Sequence, residues 1–398
     1  MNGRECDFAI VGGGLAGGLI ALALAKARPD LSLCLIEAGP APGGNHRWSW
    51  FASDLDAAGE ALLADIAKAE WQRGYDVVFP GHTRTLASRY RSMASVDLAA
   101  ALSRILPEEC IITDSAATAL DADSVTLADG TRIAARCVID ARGFSGGEAL
   151  KGGWQVFMGR HLRLAMPHGL ERPIIMDASV DQIGGYRFLY VLPLGPDEVF
   201  LEDTYYQDAP DLDRDALSAR LDAYAGRYGW RGEEVSSETG VLPVITGGDL
   251  AAFRTANEVP GVTLAGARGG FVHPLTSYTL PFAVQTALAI AENADLTGEK
   301  LAALMAKCAR RHWQATGFYR LLGTMLFGAA QPEQRYRVFE RFYRLPEGLI
   351  ERFYAGRSTL ADKARILAGK PPVPVSAALR ALTTDSPPPL SAARKDIA

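Results

Sequence analysis

The chain has 398 residues, 48% of them apolar, and carries 46 acidic against 41 basic side chains for a formal net charge of −5. That length supports a large core in two connected lobes, the mild acidity points away from nucleic acid, and no apolar run is long enough to span a bilayer. The five cysteines are scattered and never spaced C-x-x-C, and the six histidines are dispersed. This excludes a disulfide scaffold, a redox dithiol and a zinc site, and no metal is expected.

In chain order, the first organised stretch is Phe8 to Glu37. Phe8 to Val11 is an apolar strand, and Gly12, Gly14 and Gly17 follow in the order G-x-G-x-x-G. Leu15 to Ala27 is a good helix former, Pro29-Asp30 stops it, and Leu31 to Ile36 forms a second strand ending on Glu37. The spacing predicts a βαβ dinucleotide cradle made by Gly12, Gly13, Gly14, Leu15, Ala16 and Gly17. Gly12 allows the sharp turn, Gly14 leaves room for a pyrophosphate, and Gly17 lets helix and strand approach. The helix N-terminus presents free N–H groups to phosphate, and Glu37 stands where a carboxylate accepts ribose hydroxyls. A cradle this early in the chain favours FAD over NAD, and with no apolar leader before it the expected location is the cytoplasm.

Gly43 and Gly44, in the loop AGPAPGGNHRWSWF, would bring backbone to the cofactor a second time, and Trp48 and Trp50 would wall a cavity. Leu55 to Ala69 reads as a helix, Tyr75 to Phe79 and Tyr90 to Val96 as strands, and Asp97 as the cap of a helix from Leu98 to Ile105. Short strands follow at Cys110 to Thr113, Thr118 to Leu120 and Ser124 to Leu127. A further strand ends at Asp140, whose continuation to Gly143 would pass near the flavin. Trp154 to Met158, Ile174 to Met176, Tyr186 to Pro193, Glu198 to Asp203 and Val235 to Leu242 suggest an antiparallel sheet over the substrate. The helix Asp213 to Tyr228 interrupts it.

Val262 to Ala267 is a last strand, followed by a glycine turn containing Gly266 and Gly270 and an alanine-rich helix, Phe282 to Asn293. Arg268 stands where many flavoproteins carry an Asp. Between Glu299 and Pro372 there are about fourteen Lys plus Arg against six Asp plus Glu, in a helical stretch where Phe318, Leu321, Leu322, Met325 and Leu326 share a face. That face either packs on the domain or lies on an anionic membrane.

The expected fold class is α/β: a Rossmann-like FAD-binding domain with an interleaved antiparallel-sheet substrate domain and a helical C-terminal portion. The expected boundaries are an FAD-binding portion over 1–150, a substrate domain over 151–260 and a return to the FAD-binding domain over 261–298. A basic helical portion with membrane contact follows over 299–380, then a disordered tail over 381–398.

The segments VGGGLAGGLIAL, APGGNHRWSW, VIDARG, HGLERPIIMDASVDQIGGYRFLYVLPL, LEDTYY, GGFVHPLTSYTLP and RFYRLPEGLIERFYAGRSTLADKARILAGKPPVPV together resemble the bacterial lycopene β-cyclases, from about Phe8 to Leu379. The resemblance implies an isomerase of carotenoid biosynthesis that binds FAD, works with the flavin reduced, and closes the ψ ends of lycopene into β-ionone rings without net redox change. NADPH or NADH would serve only to reduce the flavin. The resemblance also implies peripheral attachment to the inner face of the cell membrane, with no obligate protein partner. Glu202 is the expected general acid, with Asp203 beside it and His273 as a candidate for orienting the ring or taking a proton. Adjacent strand residues face opposite ways, so one of Glu202 and Asp203 faces the substrate. Trp48, Trp50, Tyr186, Phe188, Phe271 and Tyr278 are candidate cavity aromatics that favour a cation through their ring faces. Two alternatives share the cradle: a flavin monooxygenase or reductase acting on a lipophilic isoprenoid, and a non-catalytic flavin-binding membrane protein.

Overall fold

The computed structural model describes residues 4–369, 373–383 and 387–391. One seven-stranded sheet has the order Ile111–Ile112, Leu33–Ile36, Arg4–Val11, Arg132–Asp140, Ser124–Leu127, Ala117–Asp121, with Thr263–Leu264 also paired to Arg132–Asp140. The strands from Ile111–Ile112 through Arg132–Asp140 run parallel, as does Thr263–Leu264, and the rest is an antiparallel meander. Against it packs the helix Leu15–Ala27, whose residues from Leu19 to Leu24 are almost wholly buried, with the helix Leu280–Glu292 beside it. The apolar-all-round composition of Leu15–Ala27 follows from this enclosure.

The second seven-stranded sheet has the order Gly232–Gly248, Leu150–Leu164, Glu198–Gln207, Tyr186–Pro193, Ile174–Asp177, Tyr75–Phe79, His82–Leu86. Its central strands are longer than sequence reading gives them. Leu150–Leu164 is flanked on both edges, so the ladder continues past the locally β-prone residues. Tyr75–Phe79 belongs to this sheet by parallel pairing with Ile174–Asp177, and His82–Leu86 by antiparallel pairing with Tyr75–Phe79, so part of the first 150 residues contributes to the second sheet. A three-stranded sheet of Arg47–Phe51, Tyr90–Ala94 and Ala69–Trp71 joins the two layers.

The helix expected over Leu55 to Ala69 stops early. It spans Ala57–Leu62, capped by Asp56, after which Leu63 and Ile66 turn into the core and Lys68 Nζ donates to the Leu63 and Ile66 carbonyls. Asp97 accepts from the Ala94 N–H, one turn into a helix that already starts at Ser95.

From Gly298 to Thr383 the described chain is helical, and no described helix is long and apolar enough to cross a membrane. Part of the basic charge there is internal: Arg335, 1% exposed, pairs with Asp208 at 2.7 Å and donates to the Tyr206 carbonyl at 3.1 Å. The tail expected to be disordered is ordered in part. Ala381 to Thr383 close the last helix, and Leu390, fully buried, donates to the Leu150 carbonyl while Pro388 accepts from Gly152. An apolar side chain and open strand-edge groups fix a segment whose composition alone reads as unstructured. The rest of that expectation, 384–386 and 392–398, lies outside the described residues.

Candidate functional site

The glycine cradle opens onto a cleft of about 530 Å³ lined by Gly12, Gly14, Leu15, Ala16, Glu37, Gly43, Gly44, Gly143 and Gly266. Gly12 has φ +98°, and a Cβ there would sit 2.8 Å from the Ala141 carbonyl. A Cβ on Gly17 would lie 1.9 Å from the Gly12 oxygen, whereas one on Gly14 would meet nothing within 4 Å. Gly12 and Gly17 therefore hold helix to strand, and Gly14 keeps the mouth open. Glu37 accepts from the Gly13 N–H at 2.7 Å and the Gly39 N–H at 2.8 Å.

Four expected cofactor residues stand behind the cleft wall. The Gly13 N–H is engaged with Glu37, and Gly17 is buried against the strand. Asp140, 1% exposed, pairs with Arg142 at 2.8 Å and approaches Arg268 at 3.7 Å. Gly270, at φ +87°, closes the turn after Gly266–Gly269. Arg268 also donates to Asn257, so its charge is turned toward Asp140 and Asn257.

A second cavity, about 180 Å³, shares His46, Trp48 and Thr279 with the cleft and has Glu202 in its wall. Its other lining includes Tyr90, Phe157, Tyr190, Phe200, Leu242 and Tyr278. Glu202 accepts from the Thr204 hydroxyl at 2.6 Å. Burial pushes its carboxyl up to about 7, and Asp203 adds to the rise. A carboxylic acid that holds its proton near neutrality, walled by apolar and aromatic groups, is equipped to protonate a weak base.

The structure separates the other two catalytic candidates from this cavity. Asp203, fully buried, points to the opposite face of its strand, where Arg187 and the Tyr205 hydroxyl bind it. His273, also fully buried, bonds the Phe353 carbonyl at 3.1 Å and accepts from the Thr276 N–H at 3.2 Å. Burial pulls its imidazole down to about 3, so it is neutral and ties the 273–276 loop to a C-terminal helix. Among the candidate aromatics, Trp48 and Tyr278 line the cavity and Phe271 lines the cleft. Trp50, Tyr186 and Phe188 are core residues, each 1% exposed or less.

Sequence reading missed Glu238. It is 4% exposed and lies on Gly232–Gly248, where Gly159 pairs with it on one side and with Glu202 on the other. The available signal was a lone acid inside the expected strand Val235 to Leu242, followed closely by Gly240. A third cavity, about 300 Å³ and strongly apolar, lies among the C-terminal helices, walled by Leu326, Phe339, Phe342 and Phe353. Its rim carries Leu367, Val375, Leu379 and Leu382, which are between 42% and 60% exposed.

A parallel sheet with a glycine cradle, a covering antiparallel sheet and adjoining cavities define a two-layer fold of the dinucleotide-binding type. Solved structures of similar fold include a flavin-dependent brominase, Bmp2, with TM-score 0.60, 16% identity and coverage of 89% of this chain and 94% of that one. A geranylgeranyl bacteriochlorophyll reductase-like protein from Thermoplasma acidophilum follows, with TM-score 0.58, 15% identity and coverage of 93% and 97%. At such identities the likeness is one of fold alone. The family model described as "Lycopene cyclase protein" matches residues 7–380, and the chain belongs to that family. It is 46% identical to the lycopene beta-cyclase of Pseudescherichia vulneris over 96% of this chain and 98% of that one. Against the lycopene beta-cyclase of Pantoea ananas the identity is 43%, over 95% and 98%.

Proposed function

We propose that this protein is a lycopene β-cyclase, converting the ψ ends of lycopene to β rings with Glu202 as general acid. The observation that carries the reading is Glu202 in the wall of an aromatic cavity that adjoins the glycine cleft. Glu202 gives its proton to C2 of the terminal alkene, whose electron pair forms the new C2–H bond and leaves the positive charge at C1. The C5–C6 alkene attacks C1, and loss of the C6 proton restores an alkene and completes the ring. Glu202, now a carboxylate, can take a proton back, so the sum is an isomerisation.

The wall serves the charged intermediate in two ways. Faces of Trp48, Tyr90, Tyr190 and Tyr278 attract a cation, and the three tyrosine hydroxyls are tied together: Tyr90 to Tyr278 at 3.1 Å and Tyr190 to Tyr278 at 3.4 Å. Apolar enclosure by Phe157, Phe200 and Leu242 limits the water that would otherwise trap it.

The cleft fits FAD: the positive-φ Gly12 turn, the open position at Gly14 and the helix N-terminus at Leu15 suit a pyrophosphate, with Glu37 at the ribose end. FAD held there and reduced would supply negative charge to the site, with NADPH or NADH as the source of its electrons. The apolar rim of Leu367, Val375, Leu379 and Leu382 is the part of the surface suited to the inner face of a membrane, where a C40 hydrocarbon dissolves.

The test is incubation of the protein with lycopene, FAD and NADPH in deuterated water. One deuteron at ring C2 and no nicotinamide consumed per ring are expected. Stoichiometric oxidation of NADPH, or oxygen in the product, would replace this reading with a monooxygenase or reductase.

A further inference from the structure

We propose that Glu238 is a positioning residue for Glu202: the two carboxyl groups share a proton across Gly159, and Glu238 donates the hydrogen bond that steadies Glu202 as it gives up its own. The inference rests on the assignment of Glu202 as the acid and concerns a residue that does not itself line the cavity.

The geometry comes from strand register. Glu202, Gly159 and Glu238 are direct cross-strand partners on three adjacent strands, so their side-chain positions share one face. The outer two backbones are two strand spacings apart, about 9.6 Å, which two glutamate side chains bridge only if nothing stands between them. Gly159 provides the gap. A Cβ there would lie 2.4 Å from the Phe200 ring and 3.2 Å from Glu238 Cγ. Through this gap the two carboxyls hydrogen-bond each other.

Two carboxylates in hydrogen-bond contact and out of water cannot both be ionised without large cost, so the pair retains at least one proton. The bonding pattern says where it sits. Glu202 already accepts from Thr204, and the contact between the two carboxyls favours the proton on Glu238 over Glu202, leaving a Glu238 O–H to complete the contact with Glu202. Burial and the facing Glu202 hold the Glu238 carboxyl well above the usual carboxylate range. The other titratable or charged groups acting on the pair are Arg47, Tyr90 and Tyr190, with Asp203 raising Glu202 from the opposite face of its strand; Arg47 acts on both carboxyls and opposes the rise.

The consequence is mechanistic. When Glu202 transfers its proton, the resulting carboxylate meets two donors, Thr204 and Glu238, which makes Glu202 a stronger acid than burial alone would leave it. The same contacts keep the carboxylate in place to recover a proton, and the proton on Glu238 never leaves the pair.

The experiment compares wild type, E238Q and E238L in the pH dependence of ring closure, together with infrared spectra of the purified proteins at pH 9. E238Q keeps a neutral donor, so its alkaline limb stays within about half a pH unit of wild type and its plateau rate falls about threefold. E238L removes the donor, moves the limb up by about one unit or more and lowers the plateau about tenfold or more. A protonated-carboxyl C=O band persists in wild type at pH 9 and is lost in E238Q. Equal limbs and plateaus in E238Q and E238L, or no such band in wild type, overturns the proposal; should E238L not fold, the infrared comparison decides alone. Absence of ring closure by wild type under every condition would instead remove the cyclase reading, while the band would still report on the Glu238 proton.

Discussion

Arg187 and Asp203 face each other in a bidentate ion pair, Nε to Oδ1 at 2.8 Å and a terminal guanidinium nitrogen to Oδ2 at 3.1 Å, on the sheet face opposite Glu202. Their side chains are 7% and 0% exposed. Neighbours in sequence, Glu202 and Asp203 thus have separate tasks. Asp203→Ala strands a buried guanidinium and is expected to cost about 3–5 kcal/mol in urea unfolding. Replacing both members of the pair with apolar residues should cost less than either single change. A D203A protein of wild-type stability would contradict this structural role.

With Glu202 as the proposed general acid, its carboxyl is expected to set the pH profile. Ring closure needs its protonated form, so the rate is flat below pH 7 and falls about tenfold per unit above it. The Glu202→Gln variant loses about 10²- to 10⁴-fold at all pH values and keeps its flavin. Stability follows the same proton. The folded-state pKa lies above the unfolded one, so the folded chain binds more protons between roughly pH 4.3 and 7, and this contribution declines as pH rises through that window. Urea titrations should show a shallower decline in the Gln variant.

The glycines of the cradle divide by task. Gly14→Val, with open space at its Cβ, should leave the unfolding midpoint nearly unchanged and lower flavin retention about tenfold or more on gel filtration. Gly17→Ala should cost about 3 kcal/mol or more, because its methyl collides with the Gly12 carbonyl. Equal flavin binding by G14V and wild type would speak against pyrophosphate at this turn.

His273 carries the opposite pH dependence. Its folded-state pKa, about 3, lies below the unfolded value of roughly 6.5, so stability present above pH 6.5 is lost as pH falls toward 3. A His273→Leu variant is less stable at pH 7.5, having lost two hydrogen bonds, but its stability should vary less between pH 6.5 and 4. Chemical unfolding at a series of pH values checks both signs.

How far the sequence could be read depended on the range of the interactions. The cradle was legible because Gly12, Gly14, Gly17 and Glu37 act within one βαβ unit. The helix Leu15–Ala27 and the strand Tyr186–Pro193 fall where local pattern puts them. The pairing of Tyr75–Phe79 with Ile174–Asp177 was invisible, since a short β-prone run does not reveal which sheet receives it. For the same reason the segment around Leu390 read as unstructured: its order comes from the Leu150 edge.

By itself the sequence determined the family and pointed to the glycine cradle and to Glu202 as the proposed acid, because glycine spacing and unusual short motifs carry their meaning in chain order. Only the tertiary structure decided which acid faces the cavity, that His273 is a structural clasp, and that Glu238 stands opposite Glu202. The physical reason is that strand register sets side-chain direction and pairing. Glu202 and Glu238 are neighbours because three strands align Gly159 between them, a relation that no local spacing contains.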